Sequence, residues 1–112
     1  MEDRFEISLL LDFYGNLLTP KQKTIMELYY NEDLSLGEIA EINDTSRQAI
    51  HDLTKRCYKL LLNYEEKLSL LSKYNIREEK YKIALEDIKD RFKLSDEAIN
   101  YINKLFEDIN NS

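Results

Sequence analysis

Apolar residues recur at helical spacing from Ile50 to Leu71 without a break. When successive residues are placed about 100° apart, as in an α-helix, these positions fall within a sector roughly 100° wide. The positions are Ile50, Leu53, Cys57, Leu60, Leu61, Tyr64, Leu68 and Leu71. No helix breaker occurs between Ser46 and the pair Tyr74 and Asn75, so the pattern predicts one long helix and favours an all-α fold.

The composition agrees with an all-α fold. The chain of 112 residues contains two glycines and one proline, whereas antiparallel sheets need many such residues in their turns. With 43% hydrophobic and 34% charged residues, the chain can form a core and a solvated surface. Its length suits one core, so we predict a single helical domain over residues 1–112.

Capping motifs predict where several helices begin. In a capping box, the Ser or Thr side chain at the helix start accepts a hydrogen bond from the backbone N–H three residues later. The Glu or Gln side chain at that later position accepts a hydrogen bond from the backbone N–H of the Ser or Thr. Three such pairs occur: Thr19 with Gln22, Ser35 with Glu38, and Thr45 with Gln48. With the apolar spacing, they predict helices over about residues 3–18, 20–30, 36–42, 46–74, 76–92 and 95–109. The predicted apolar face of the first helix comprises Phe5, Leu9, Leu10, Phe13, Tyr14 and Leu17.

The second half of the long helix needs a partner. A compact three-helix unit is too short to cover the stripe from Leu60 to Leu71, so another element must bury it. We predict that residues 75–110 form a C-terminal helical hairpin that folds back on the long helix. A homodimer that buries the same stripe is the open alternative.

Residues 19–59 carry the pattern of a helix-turn-helix motif. Such a motif needs a small residue where its two helices cross and apolar residues inside both helices. The candidates are Ile39 and Ala40 in the first helix and Ala49, Ile50 and Leu53 in the second. The helix over residues 20–30 would brace the pair. A generic helical hairpin has the same apolar spacing, but the capping motifs on both helices favour the helix-turn-helix.

The second helix of this motif carries a local excess of positive charge. The whole chain has a formal net charge of −6, but the stretch from Arg47 to Lys59 contains four basic residues and one acidic residue, Asp52. The candidate nucleic-acid-binding residues are Ser46, Arg47, Gln48, His51, Lys55, Arg56 and Lys59. Those at the helix start could contact base edges, and the later cations could hold phosphates. The alternative is that these charges form the solvated face of a long helix.

The sequence offers little for catalysis or metal binding. His51 is the single histidine and has no second ligand at a spacing that would form a metal site. Gly15 and Gly37 are isolated, so no phosphate-binding loop is predicted, and the acidic clusters are typical of solvated helix faces. We therefore expect no enzyme activity, no cofactor, no metal and no small-molecule substrate.

Cysteine usage and hydropathy indicate a location. Cys57 lies within the apolar stripe, and one cysteine cannot form a disulfide framework within a chain. We expect a core thiol in a reducing compartment. The first ten residues lack the basic region of a signal peptide, and no apolar run reaches membrane-spanning length. A cytoplasmic protein without direct membrane insertion is the expectation.

The stretch from Leu17 to Leu68 resembles known helix-turn-helix proteins. Its LT..Q, L, EIA and S spacing resembles region 4, the promoter-reading C-terminal domain of bacterial sigma factors. Five short motifs, in the same order along the chain, resemble still more closely those of the YlxM family of small bacterial helical proteins. These motifs are LLTPKQ, ELYYNEDLSLGEIAE, SRQA, DLTKR and YEEKL. These motifs cover about half of the chain, and their recurrence in order makes the resemblance specific.

The resemblance implies a cytoplasmic accessory or regulatory protein of the signal recognition particle pathway. Its partner would be a protein or the RNA of that particle, contacted by the helix-turn-helix or by tyrosine-rich helical surfaces. The candidate tyrosines are Tyr29, Tyr30, Tyr74 and Tyr81. The alternative is a transcriptional regulator that binds DNA as a homodimer.

The turn of the motif departs from the family pattern of an apolar residue, Gly and Val. Asn43, Asp44 and Thr45 stand at these positions. Asn and Asp can adopt the left-handed turn geometry of glycine, so we predict that the turn forms. Asp44 and Asp52 place negative charge near the basic face. Weak and salt-sensitive nucleic-acid binding is therefore expected, unless a dimer doubles the contacts.

Overall fold

A computed structural model describes residues 3–111, and most of them are helical. The helices are α1 (Arg4–Tyr14), α2 (Pro20–Tyr30), α3 (Leu36–Ile42), α4 (Arg47–Leu68), α5 (Leu70–Phe92) and α6 (Asp96–Asn110). These described residues contain no β-strand. The predicted all-α class is therefore confirmed, and α2 and α3 begin and end at the predicted residues.

Two of the predicted capping boxes are confirmed. The Thr19 hydroxyl accepts from the Gln22 N–H at 3.2 Å, and the Gln22 side chain accepts from the Thr19 N–H at 3.0 Å. Ser35 and Glu38 make the same reciprocal pair, with both bonds at 3.1 Å. Each box satisfies two amides that a helix start would otherwise leave unpaired.

The third predicted capping box is wrong. Ser46 caps α4 instead of Thr45, because its hydroxyl accepts from the Ala49 N–H at 3.1 Å. The Thr45 N–H donates to the carbonyl of Ala40 at 3.0 Å, which ties Thr45 to the end of α3. The cap therefore moves one residue along the chain, and the Gln48 side chain is not used for capping.

The first helix is shorter than predicted. It ends at Tyr14, and Gly15–Leu17 form a single 3₁₀ turn. Thr19 must be extended to cap α2, and the proline ring of Pro20 also holds the preceding residue in the extended region. Leu18 is already extended, with φ of −82° and ψ of 160°. The chain therefore leaves the α-helix before it reaches the capping residue.

The predicted long helix is wrong at its C-terminal end. It ends at Leu68, where Ser69 takes the left-handed conformation with φ of 56°. The next helix begins at Leu70. The predicted break at residues 74 and 75 does not exist, because α5 continues through both positions to Phe92.

Two side chains from other parts of the chain stabilise the break between α4 and α5. The Glu65 carboxylate accepts from the N–H groups of Leu71 at 2.9 Å and Ser72 at 3.0 Å. The Tyr14 hydroxyl donates to Glu65 at 2.6 Å and accepts from the Leu70 N–H at 3.0 Å. Three amides in the first turn of α5 are thereby satisfied. Local sequence could not indicate this arrangement, because Tyr14 lies 56 residues before Leu70.

The described chain forms two compact units that divide between Lys73 and Tyr74. In the first unit, residues 3–73, helices α1 to α4 pack around a core. The largest fully buried side chains are Tyr14, Ile7, Leu10, Ile25, Met26, Ile39, Ile50, Leu61 and Cys57. The predicted face of α1 is partly wrong, because Phe5 and Leu17 are 73% and 54% exposed. Leu10 and Tyr14 are buried as predicted, and Ile7, which was not predicted, is buried with them.

The second unit, residues 74–111, pairs α5 with α6 in an antiparallel hairpin. Its contacts are the Lys89–Asp96 ion pair at 2.9 Å, the stacked rings of Tyr81 and Phe106, and the Asn110–Glu78 hydrogen bond at 3.4 Å. No residue from 74 to 111 is buried. The predicted domain organisation stays a prediction, since compactness does not measure cooperative unfolding. It assigns residues 1–112 to a single helical domain, 19–59 to a helix-turn-helix core and 75–110 to a C-terminal hairpin.

Candidate nucleic-acid interface

Backbone hydrogen bonds close the turn between α3 and α4. Asp44 takes the left-handed conformation with φ of 50°, and its N–H donates to the Glu41 carbonyl at 3.3 Å. The Thr45 N–H donates to the Ala40 carbonyl at 3.0 Å. These two bonds form a Schellman motif, in which glycine is the usual left-handed residue. The predicted replacement of glycine is confirmed at Asp44, while Asn43 keeps a negative φ of −96°.

Buried apolar side chains hold the two helices of the motif together. The shared cluster consists of Ile39 and Ala40 of α3, Ile50 of α4 and Ile25 of α2, with Leu53 half-buried against it. The predicted bracing by the second helix is therefore present. Ala49 is exposed, so its predicted place inside the motif is wrong. A step of one residue rotates a helix by about 100°, which turns Ala49 away from the face that carries Ile50.

The seven candidate binding residues lie in the first four turns of α4 and its cap, and all but the half-buried His51 are exposed. One open cleft of about 210 Å³ is lined by Leu36, Arg47, Gln48 and His51. A second, of about 620 Å³, is lined by Gln22, Arg56, Lys59, Leu60 and Asn63. The first cleft joins residues predicted to contact bases, and the second joins two cations predicted to hold phosphates. Lys55 lines neither cleft, and Ser46 is occupied as the cap of α4.

Asp52 contacts two of the candidate residues. The Gln48 side-chain amide donates to Asp52 Oδ1 at 3.0 Å, and His51 Nδ1 lies 3.9 Å from the same oxygen. Gln48 must give up this hydrogen bond before it can pair with a base edge. The carboxylate also repels nearby phosphates. The contacts of Asp52 therefore oppose base recognition by Gln48 and leave a negative charge among the basic residues of α4.

The basic residues of α4 keep their charge available to a partner. Within the described part of the chain, the charged groups of Arg47, Lys55, Arg56 and Lys59 form no ion pair. Ion pairs elsewhere involve Arg4, Lys23, Lys89 and Arg91. An exposed cation that has no carboxylate beside it can approach a phosphate without first losing another partner.

Two lining residues of the larger cleft were not predicted from the sequence. Gln22 and Asn63 line this cleft together with Arg56 and Lys59. Asn63 follows Lys59 by one helical turn, so extending the same helix face by four residues would have found it. Gln22 lies on α2, and only the packing of α2 against α4 brings it to this cleft.

The predicted tyrosine-rich surface is not formed by all of its candidates. Tyr30 is buried, with 7% exposure, and cannot serve as a surface contact. Tyr29 packs beneath the Arg4 guanidinium, whose carbon lies 4.8 Å from the ring centre. Tyr81 stacks on Phe106. These tyrosines take part in packing because their rings fill the gaps between neighbouring helices.

The described residues include no group of three or more His, Cys, Asp or Glu side chains that could hold a metal ion. Cys57 is fully buried, and burial raises the pKa of its thiol. A raised pKa leaves little of the nucleophilic thiolate at neutral pH. In the same part of the chain, no helix is long and apolar enough to cross a membrane.

A family model matches nearly the whole chain. Residues 1–105 match UPF0122, described as "Putative helix-turn-helix protein, YlxM / p13 like". The chain belongs to the UPF0122 family. The resemblance to YlxM proteins and the helix-turn-helix character predicted from the sequence are thereby confirmed.

Relatives in the UPF0122 family occur in several clostridia. A UPF0122 protein of Clostridium botulinum strain Alaska E43 is 61% identical over 97 residues, which cover 86% of this chain and 88% of the relative. One from Clostridium perfringens strain SM101 is 53% identical over 116 aligned positions and covers all of both chains. One from Clostridium acetobutylicum is 51% identical and covers 98% of this chain and 97% of its own. The similarity therefore extends well beyond the helix-turn-helix.

Proposed function

We propose that this UPF0122 protein is a non-enzymatic accessory or regulatory protein that contacts the phosphate backbone of a nucleic acid through α4. The observation that carries the proposal is that Arg47, Lys55, Arg56 and Lys59, clustered in the first four turns of α4, form no ion pair in the described chain. The resemblance to YlxM proteins directs the proposal to the signal recognition particle pathway. The RNA of that particle is the nucleic acid we favour, and one of its proteins is the other partner considered.

The same proposal covers location and chemistry. A buried thiol and a partner in protein targeting fit a cytoplasmic protein. We expect no catalysis, no small-molecule substrate and no direct membrane insertion. Turnover of any substrate that disappears when α4 is altered would contradict this part of the proposal.

The charge arrangement sets the expected strength of binding. Each phosphate neutralised on a duplex contributes about −0.9 to the slope of log K against log salt, and somewhat less on single strands. Four contacts therefore predict a slope of roughly −3 to −4. The chain has a net charge of −6, which opposes approach to a polyanion. We therefore expect binding that is weak and strongly salt-dependent.

Fluorescence anisotropy of labelled protein tests the proposal. The protein is titrated at low salt with the RNA of the particle, then with the reconstituted particle, and each titration is repeated with excess mixed-sequence duplex DNA. We expect saturable binding that the excess DNA reduces but does not abolish, because both polyanions compete for the α4 cations. Failure to bind the RNA or the particle's proteins at micromolar concentration would contradict the proposal.

Two substitutions that each remove one positive charge test whether the binding face lies on α4. Lys55→Ala should weaken RNA binding and make the salt slope shallower by about 1, because one phosphate contact is lost. Lys67→Ala removes an equal charge from the exposed last turn of the same helix and serves as the matched control. Equal effects of the two substitutions would indicate only a response to net charge.

Removing the central carboxylate should have the opposite effect. Asp52→Asn deletes a negative charge beside Gln48 and His51 while keeping the side-chain shape. Binding to RNA should become about two- to fivefold tighter, because an exposed charge interaction is worth roughly 0.5–1 kcal/mol. Unchanged affinity would place the phosphates away from this part of α4.

A dimeric transcriptional regulator that binds DNA is the second candidate. It is favoured by the exposed Arg47 and Gln48 at the first turn of α4, where the recognition helix of a helix-turn-helix contacts base edges. Selection from random duplexes should then enrich a sequence whose recognition is lost in Arg47→Ala. If no sequence is enriched, this candidate fails.

A further inference from the structure

Much of the apolar surface of α6 lies in water. Tyr101, Leu105 and Ile109 are 65%, 46% and 70% exposed, and α6 has no buried residue. At the opposite end of the hairpin, Phe92 is 65% exposed where α5 ends. Two paired helices cannot enclose a core by themselves. We call this surface, from Tyr101 to Ile109, the exposed side of α6. Another protein surface must pack on it before its apolar side chains are removed from water.

The exposed side of α6 is distinct from the groove of the hairpin. That groove is lined on α6 by residues such as Asn103, Phe106 and Glu107, and on α5 by residues such as Lys82. Tyr101 and Leu105 do not line it. At about 100° per residue they lie on the other edge of α6. An occupant of the groove would leave the exposed side uncovered.

The charged residues along the exposed side of α6 are complementary to those on the same side of a second copy. Glu97 and Lys104 are both exposed and stand seven residues apart, which is two helical turns, so they share one edge of α6. When two identical helices pack antiparallel about a two-fold axis normal to their plane, the same edge of each helix meets. An axis level with Asn100 and Tyr101 then places Glu97 of each copy opposite Lys104 of the other. Two opposite-charge pairs form at once.

We propose that α6 packs antiparallel against α6 of a second copy of this chain, with Tyr101 at the centre of the interface. The same axis brings the C-terminal end of α6, with the exposed Ile109, beside the start of the other α6, where Phe92 is exposed. The apolar side chains left in water are thus covered by equivalent groups.

A second copy is the occupant because the pattern is complementary to itself. A different protein could cover an apolar face, but nothing would then require Glu97 and Lys104 to be placed symmetrically about the midpoint between Asn100 and Tyr101. The proposal does not depend on the proposed function. If both hold, a dimer carries two sets of α4 cations and its salt dependence becomes steeper.

Sedimentation equilibrium of the full chain, from about 1 to 200 μM, tests the interface. We expect the wild type to reach twice the 13.4 kDa chain mass. Lys104→Glu should raise the dimer Kd about tenfold, because two attractive pairs become two repulsive ones. Glu97→Lys combined with Lys104→Glu should restore the Kd to within about threefold of wild type. Lys82→Glu, in the groove on the other side, is the matched charge-reversal control and should leave the Kd unchanged.

Circular dichroism checks that each variant keeps its helices, which we expect because all three substituted positions are exposed. A wild type that stays monomeric throughout the range would overturn the proposal. A dimer that responds equally to Lys82→Glu and Lys104→Glu would overturn it as well, and so would a double variant as weak as the single one. In these cases the exposed side belongs to a different partner.

Discussion

The two units of the molecule are built from similar amphipathic helices but differ in burial. In residues 3–73, α4 packs against α1, α2 and α3, and side chains such as Ile39 and Ile50 are fully enclosed. In residues 74–111, α6 pairs with α5 and no side chain is buried. The apolar pattern of α6 is at least as regular as that of α4. The units differ in how many helices cover each apolar face.

This comparison shows what amphipathicity does and does not specify. A regular apolar stripe means that one side of a helix gains free energy when water is removed from it. The stripe does not say which surface removes the water. The first unit supplies that surface from its own helices, whereas the second leaves Tyr101, Leu105 and Ile109 exposed. Stability should therefore be concentrated in the first unit.

The largest expected effect lies in the core of the first unit. Ile39→Ala should lower the free energy of unfolding by about 2–5 kcal/mol, because it removes buried methylene groups and leaves a cavity. Ile42→Ala, one turn later on the same helix but 64% exposed, should change it by less than about 0.5 kcal/mol. Urea unfolding followed by circular dichroism measures both. Equal losses would mean that burial in α3 does not control stability.

A smaller effect is expected where the first unit ends. Glu65→Ala should lower the free energy of unfolding by about 1–3 kcal/mol, because it leaves the amides of Leu71 and Ser72 and the Tyr14 hydroxyl without their acceptor. Glu66→Ala removes an exposed carboxylate one residue away and is the matched control. A loss no larger than that of the control would show that the Glu65 hydrogen bonds contribute nothing to stability.

The same carboxylate should make stability depend on pH. Burial raises the pKa of Glu65, but the hydrogen bonds from Tyr14, Leu71 and Ser72 outweigh it and hold the pKa below its ordinary value. A group whose pKa is lowered by folding stabilises the protein above the unfolded-state pKa, about 4.3 for Glu, and loses that contribution as pH falls through the folded pKa. The difference between the unfolding temperatures of wild type and Glu65→Ala should therefore shrink as pH falls through and below the ordinary range of a glutamate. A constant difference from pH 7 to pH 3 would contradict this.

The smallest effect is expected in the hairpin of the second unit. Lys89 and Asp96 form an exposed ion pair, which raises the pKa of Lys89 and lowers that of Asp96. Solvent and salt screen such a pair, so Lys89→Met should shift Tm by no more than about 2 °C. Differential scanning calorimetry at low and high salt checks this. A larger, salt-sensitive drop would show that the ion pair is what holds the hairpin together.

The role of the candidate binding residues stays a prediction, but their exposure could be predicted from local spacing. Spacing on one helix placed Lys55 and Lys59 opposite the apolar stripe and Arg47 on the flank of that face, and these side chains are exposed. The hydrogen bond between Gln48 and Asp52 is also local, at a spacing of four residues. The contribution of Gln22 to the cleft could not be predicted, because it depends on how α2 packs against α4.

The error at the end of α4 has a conformational cause. Asp33, Asp44, Ser69 and Lys93 take positive φ near helix ends, while neither glycine does. Glycine is the usual signal for such a position, and its absence hides the end of a helix from the sequence. At Asp44 the turn was predicted because the helix-turn-helix pattern requires one there. At Ser69 no local pattern required it, and the helix was predicted to continue.

The sequence by itself determined the all-α class, the helix-turn-helix, the starts of α2 and α3 and the basic face of α4. Each depends on spacing within one helix or on a cap three residues away, so nearby residues contain the information. The tertiary structure decided where α4 ends, which side of α1 is buried and which residues line the larger cleft. These depend on contacts between distant residues, such as Tyr14 with Leu70, and only the packed chain brings such residues together.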